Sequence, residues 1–223
     1  MEVKKKRKEI YSLLIGFGGA ILAVWGLCAF NRNILMKLPI SLRMVSMIVT
    51  HWAIMVVPII LILAEKEKLT AYGIHKEKLE IQILVGIIIG LCMSFMLTVI
   101  PILLGLGDMV GEKRELYLWK IIFEFLYCIV GVSLGEEFVF RGFIYEKIMR
   151  ITNKTSCAVI GSSLLFGLVH IFNGNILQVI MTAGLGILFC ICRLKIRNCT
   201  LLSLIIAHGI YDALISLWVS VLT

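Results

Sequence analysis

Polar residues punctuate this chain at long intervals, and seven apolar segments run between them. They cover about 10–30, 44–64, 81–104, 118–135, 156–172, 176–192 and 199–221, and the fourth can continue to 149. A helix needs roughly 20 apolar residues to cross a hydrocarbon layer. Most of the segments reach that length, while 156–172 and 176–192 are short. The pattern predicts an all-α, polytopic transmembrane helix bundle of about seven spans. A broken or re-entrant helix near 135–150 would change the count to six or eight. The opening "MEVKKKRKEI" has the basic flank of a signal peptide, but the apolar run after it is long for one, and six further segments follow. A retained first span is expected.

Composition strengthens this picture. Of 223 residues, 60% are hydrophobic, against the 45–50% or so usual for soluble domains. The formal net charge of +8 raises the question of nucleic acid, but the basic residues are scattered between apolar runs without aromatic interleaving. No nucleic-acid partner is expected. Topology accounts for them better. With the N-terminus inside, the inner flanks carry Lys4, Lys5, Lys6, Arg7, Lys8, Lys66, Lys68, Lys76, Lys78, Lys147, Arg150, Lys154, Arg193, Lys195 and Arg197. The outer flanks carry Arg32, Lys37, Arg43, Lys113, Arg114 and Lys120. This asymmetry predicts a multi-pass protein of the cell membrane with a cytoplasmic N-terminus.

No internal repeat or linker marks a second domain, so residues 1–223 are expected to form one integral membrane domain. Gly86 and Gly90 form a small-xxx-small pair suited to close helix packing. The seven cysteines include no CxxC pair and read as small buried hydrophobes. His51 and His75 read as packing histidines.

Three places set ionisable groups inside apolar runs. "GEEFVFRGF" carries Glu136, Glu137 and Arg141; "LLFGLVHIF" carries Phe166 and His170; "IIAHGIYDAL" carries His208 and Asp212. Charge at membrane depth is costly and marks function by default. Glu137 and Arg141 stand at i and i+4, so they can pair along one helix, while Glu136 points about 100° away. A rise of 1.5 Å per residue puts Glu136 roughly 16 Å above Lys147, His170 roughly 21 Å above Ser156 and His208 roughly 12 Å above Thr200. The three helices can therefore converge on one buried polar site.

Two histidines and carboxylates suit activation of water. In a metal-bound reading, Glu136, His170 and His208 are candidate ligands, with Asp212 in place of Glu136 as a variant, and zinc is the natural cation. In a metal-free reading, Glu136 is the general base on a water also held by His170, and His208 with Asp212 polarises a substrate carbonyl. No HExxH zinc-protease signature is present. Buried Glu and His would also suit a proton-coupled transporter, but no paired half-helix repeat accompanies them.

"EEFVFR", "FGLVH" and "HGIYD" resemble the motifs EExxxR, FxxxH and HxxxN/D of the CPBP family, which comprises CAAX prenyl protease type 2 enzymes and bacteriocin-processing or immunity proteins. The resemblance covers roughly 130–215, the expected catalytic core. It implies an intramembrane endopeptidase acting on a membrane-associated peptide or protein, prenylated substrates included, within the lipid bilayer. It assigns Glu136 and His170 to water activation and His208 and Asp212 to the oxyanion side, with Glu137, Arg141 and Phe166 in support. A non-catalytic immunity or scaffold protein is the other role the family offers. Asp212 stands where many members have Asn, which leaves its role at the oxyanion open.

Overall fold

The computed structural model describes residues 2–172, 174 and 176–223. They form an all-α polytopic bundle, with no strand among the described residues. Among the described residues, seven helices are long and apolar enough to cross a membrane. They are α1 (Val3–Lys37), α2 (Ile40–Ala64), α3 (Leu79–Leu103), α4 (Leu118–Thr152), α5 (Thr155–Phe172), α6 (Ile176–Lys195) and α7 (Leu201–Leu222). Leu, Ile, Val, Met and Trp side chains stud their outer surfaces, as a lipid-facing bundle requires. The fourth apolar run does continue past 135: the charged motif lies within one unbroken helical span rather than at a re-entrant break.

α7 is the most enclosed span, and its broadest partner is α3. Glycine explains how closely they approach. A Cβ on Gly86 would fall 2.7 Å from the Ser203 carbonyl oxygen, and one on Gly90 would fall 2.8 Å from that of Ala207. Both small residues face α7, as their four-residue spacing predicts. Gln82 adds a polar clasp to the same seam: it takes a hydrogen bond from Thr200 on its side chain and one from Ser203 Oγ on its carbonyl.

α4 is wound unevenly. Tyr127–Ser133 and Phe138–Ile144 are wide i→i+5 turns, separated by the α-helical turn Leu134–Glu137 that holds both glutamates. Wide turns hold more residues per revolution, so they rotate everything after them relative to an ideal helix. Ser133 Oγ donates to the Cys128 carbonyl at 2.6 Å and satisfies an acceptor in this stretch. Around α4, Phe138, Phe140, Phe143, Tyr72, Phe166 and Leu201 build the central apolar core.

A second, ionic core fastens the far end of α4. Lys147 is fully buried, with Nζ 2.9 Å from Glu9, 2.6 Å from Glu65 and 3.6 Å from Glu67. Arg150 pairs with Glu67 at 2.7 Å, and Tyr72 O–H also donates to Glu67. The sequence reads Lys147 as a basic charge flanking the cytoplasmic end of the span. In the structure it is enclosed by carboxylates from α1 and from the α2–α3 loop. His75 departs from expectation: it is exposed in that loop rather than packed.

Candidate active site

α4, α5 and α7 bring the three polar motifs together. Glu137 and Arg141 are both fully buried and pair at 3.0 Å along α4. The arginine plane is covered by aromatic rings, with its guanidinium carbon 4.1 Å from the Phe166 centroid and 5.4 Å from that of Phe189. The pair is held by charge rather than by hydrogen bonds: Arg141 Nε, Nη1 and Nη2 and Glu137 Oε2 are buried without a hydrogen-bond partner, so removing either charge would be costly. His208 Nδ1–H donates to Glu137 Oε1 at 2.8 Å. Glu137 thus links the guanidinium of α4 to the imidazole of α7.

That bond fixes which ring nitrogen faces the cavity. His208 Nε2 lies 3.3 Å from Asp212 Oδ2 and 3.8 Å from Glu136 Oε2. The carboxylates divide by exposure: the Glu137 side chain is 0% exposed, Glu136 19% and Asp212 30%. Glu136 and Asp212 can meet water or a ligand, and Glu137 cannot. Gly209 makes the approach of α7 to α4 possible, since a Cβ there would sit 2.6 Å from the Ile129 Cα.

His170 ends α5, where its Nδ1–H donates to the Phe166 carbonyl at 2.9 Å and leaves Nε2 free to accept. Phe166 connects the two histidines, its ring centroid 4.8 Å from that of His170 and 6.1 Å from that of His208. Phe189 on α6 closes the other side of His208 at 5.1 Å. Nothing in the sequence marks Phe189, an aromatic residue among other apolar ones.

A stagger between helices lets the unequal depths meet, as expected. α7 begins beside the middle of α4, where a Cβ on Gly142 would touch the Leu201 side chain at 3.4 Å and the Tyr72 carbonyl at 3.3 Å. α4 continues beyond that level into the ionic core, which is why residues at unequal distances from their helix ends still meet.

Residues 118–214 match the model of a family described as type II CAAX prenyl endopeptidase Rce1-like. This segment is similar to that family over the stretch that carries the three motifs. No curated protein and no solved structure matches the chain. The matched segment runs from the start of α4 through most of α7 and contains all seven residues singled out from the three motifs. The matching family model describes CAAX-type endopeptidases, and the seven membrane-length helices fit a multi-pass membrane protein.

The donor set bears on a metal. Each imidazole has its Nδ1–H held by an oxygen acceptor and its Nε2 unclaimed by that bond, the usual preparation of a zinc-ligating histidine. With the Glu136 carboxylate these are residue types that catalytic zinc accepts, but their donor atoms do not all come within 4.8 Å of one another in this structure. Among the described residues, the donor atoms that already converge within 4.8 Å are those of Glu9, Glu65 and Glu67. Lys147 and Arg150 neutralise that group.

Proposed function

We propose that the protein is an endopeptidase that hydrolyses a peptide bond of a membrane-associated peptide or protein, prenylated substrates included, by way of a water activated at Glu136. The observation that carries the reading is the division of labour between adjacent carboxylates. Glu137 is sealed against Arg141 and His208, while Glu136 is open and within 4 Å of the same imidazole.

The proposed step uses these residues as follows. Glu136 removes a proton from water, and His170 Nε2 orients that water by accepting its other hydrogen. The hydroxide oxygen bonds to the scissile carbonyl carbon, whose oxygen takes the π electrons. His208, positively charged and donating from Nε2, stabilises that oxyanion, and the Asp212 carboxylate beside it stabilises the imidazolium. Glu136 returns its proton to the departing nitrogen as the C–N bond breaks, giving a carboxyl product and an amine. Were zinc bound, Glu136 and the Nε2 atoms of His170 and His208 would hold it, and it would supply a Lewis acid and lower the pKa of bound water. His208 would then be neutral.

We place the protein in the cell membrane with its N-terminus cytoplasmic, on the asymmetry of basic flanks. The test is cleavage of membrane-associated peptides by detergent-purified protein, with metal content measured and with chelator present or absent. Cleavage lost in both Glu136→Gln and His170→Ala, with unchanged thermal unfolding, supports the reading. Cleavage retained in both variants sinks it.

A further inference from the structure

A pocket of about 410 Å³ opens between the first turns of α2, the first turns of α4 and the last turns of α7. Two of its walls are continuations of the helices that carry the site. On α7, Ser216 lines the pocket one turn beyond Asp212, which is itself one turn beyond His208. On α4, Phe123 lines the pocket and stacks on Tyr127, centroids 5.9 Å apart. Tyr127 O–H donates to His51 Nε2 at 3.2 Å. The pocket therefore lies one turn along α7 from the candidate site, on helices that also carry it.

Its lining is apolar with an unbalanced charge. Met44, Met47, Trp119 and Phe123 give it a hydrophobic floor. Three cations also line it, and two of them are matched: Arg114 pairs with Glu124 at 3.0 Å and Lys120 with Glu115 at 2.8 Å. Arg43 is different. Its Nη2 donates to the Met36 and Leu38 carbonyls, its Nε is buried without a partner, and no carboxylate lies within 4 Å of it among the described residues. Two backbone acceptors hold the guanidinium in place without neutralising it.

We propose that this pocket is a substrate subsite that receives a carboxylate of the peptide, with Arg43 as its specificity-determining cation and Met44, Met47 and Phe123 holding the adjoining apolar side chain. The proposal rests on the protease reading for its substrate, but it concerns binding. A planar guanidinium with donors to spare matches a carboxylate, and a pocket of this size takes a short stretch of peptide. The carboxylate can be a chain terminus or an acidic side chain.

The test is fluorescence-anisotropy binding to detergent-purified Glu136→Gln protein. It uses three forms of one apolar peptide: free acid, C-terminal amide, and amide with an internal Glu. The carboxylate-bearing form is expected to bind about tenfold or more tighter than the neutral amide, as a charged hydrogen bond allows. Whichever of the two acidic forms gains identifies the source of the carboxylate. Adding Arg43→Gln should erase that difference while leaving the neutral amide's affinity unchanged, and Arg43→Lys should keep part of it. Met47→Trp, which fills the floor without touching charge, should weaken all three forms. Equal binding of acidic and neutral forms, or a preference that survives Arg43→Gln in protein with normal thermal unfolding, overturns the proposal. If Arg43→Gln does not fold, undiminished binding in Met47→Trp overturns it and weakened binding supports it. Wild-type protein that shows the preference yet cleaves none of the peptides would instead refute the protease reading and leave the subsite standing.

Discussion

His208 Nδ1 lies 2.8 Å from Glu137 Oε1, so the second carboxylate of the pair, not the first, sets the orientation of the imidazole. The same oxygen is 3.0 Å from the Arg141 guanidinium. One buried group therefore positions a histidine on another helix and neutralises a cation on its own.

Removing that group should unfold the protein more than it disables it selectively. Glu137→Ala leaves Arg141 dry and uncompensated, and breaking a buried pair from one side costs about 3–5 kcal/mol. Thermal unfolding in detergent should show a large drop, with cleavage falling in step. Glu137→Gln keeps an acceptor for His208 but loses the charge opposite Arg141, so it should fall between wild type and the alanine variant.

The neighbouring carboxylate should behave oppositely. Glu136 is partly open, and its charge is not matched to Arg141. Glu136→Gln should leave the unfolding temperature close to wild type while cutting kcat by about 10²–10⁴, the usual worth of a general base. A stability loss as large as that of Glu137→Ala would contradict the division of roles.

Asp212 separates two accounts of the oxyanion. If it acts by stabilising a charged His208, Asp212→Ala should lower kcat by about 10²–10³, the range for losing one stabilising group. Asp212→Asn can donate directly and should retain more activity than the alanine variant. Steady-state kinetics on one peptide across the three proteins decides this.

The ionic core gives a pH dependence at the other end of the bundle. Burial pushes the Glu67 carboxyl upward, but hydrogen bonds from Arg150 and Tyr72 and the charge of Lys147 outweigh it, so the net direction is down from 4.5. A depressed carboxyl contributes stability that is present above the unfolded-state value and is lost as pH falls through the lower folded value. Unfolding temperature should therefore decline below about pH 4.5, and Glu67→Gln should flatten that decline. Burial, reinforced by Glu67, also pushes the Tyr72 hydroxyl up to about 12. It therefore stays a donor throughout this window.

Close packing beside the site should be equally measurable. Any side chain at Gly209 meets the α4 backbone at Ile129, and relief requires α7 to move away from α4. Gly209→Ala should cost about 1–3 kcal/mol by overpacking. It should also reduce cleavage beyond what the stability loss explains, because His208 moves with the helix.

The seven spans were legible because hydrophobic runs of membrane length have few other uses. The motif residues were legible because charge inside such runs is rare. Glu137 was readable as a partner of Arg141, since i and i+4 spacing is local, but its bond to His208 crosses 71 positions. The wide turns of α4 leave no mark in the sequence, so helix phase could place Glu136 relative to Glu137 but not relative to residues before Leu134 or well beyond Glu137. Lys147 read as a flank charge because its partners Glu9 and Glu65 stand beside apolar runs far away in the chain. Phe189 gave no signal at all: it is one aromatic among many until Arg141 and His208 are seen beneath it.

The enclosure of Lys147 also bears on modularity. The family-matched segment begins at residue 118, yet one of its own buried cations is neutralised by Glu9 of α1 and Glu65 of the α2–α3 loop. An excised piece carrying all three motifs would expose that lysine's unmet charge to lipid or water and free the end of α4. The leading spans, which contribute no motif, are thus part of what makes the motif-bearing half a stable unit.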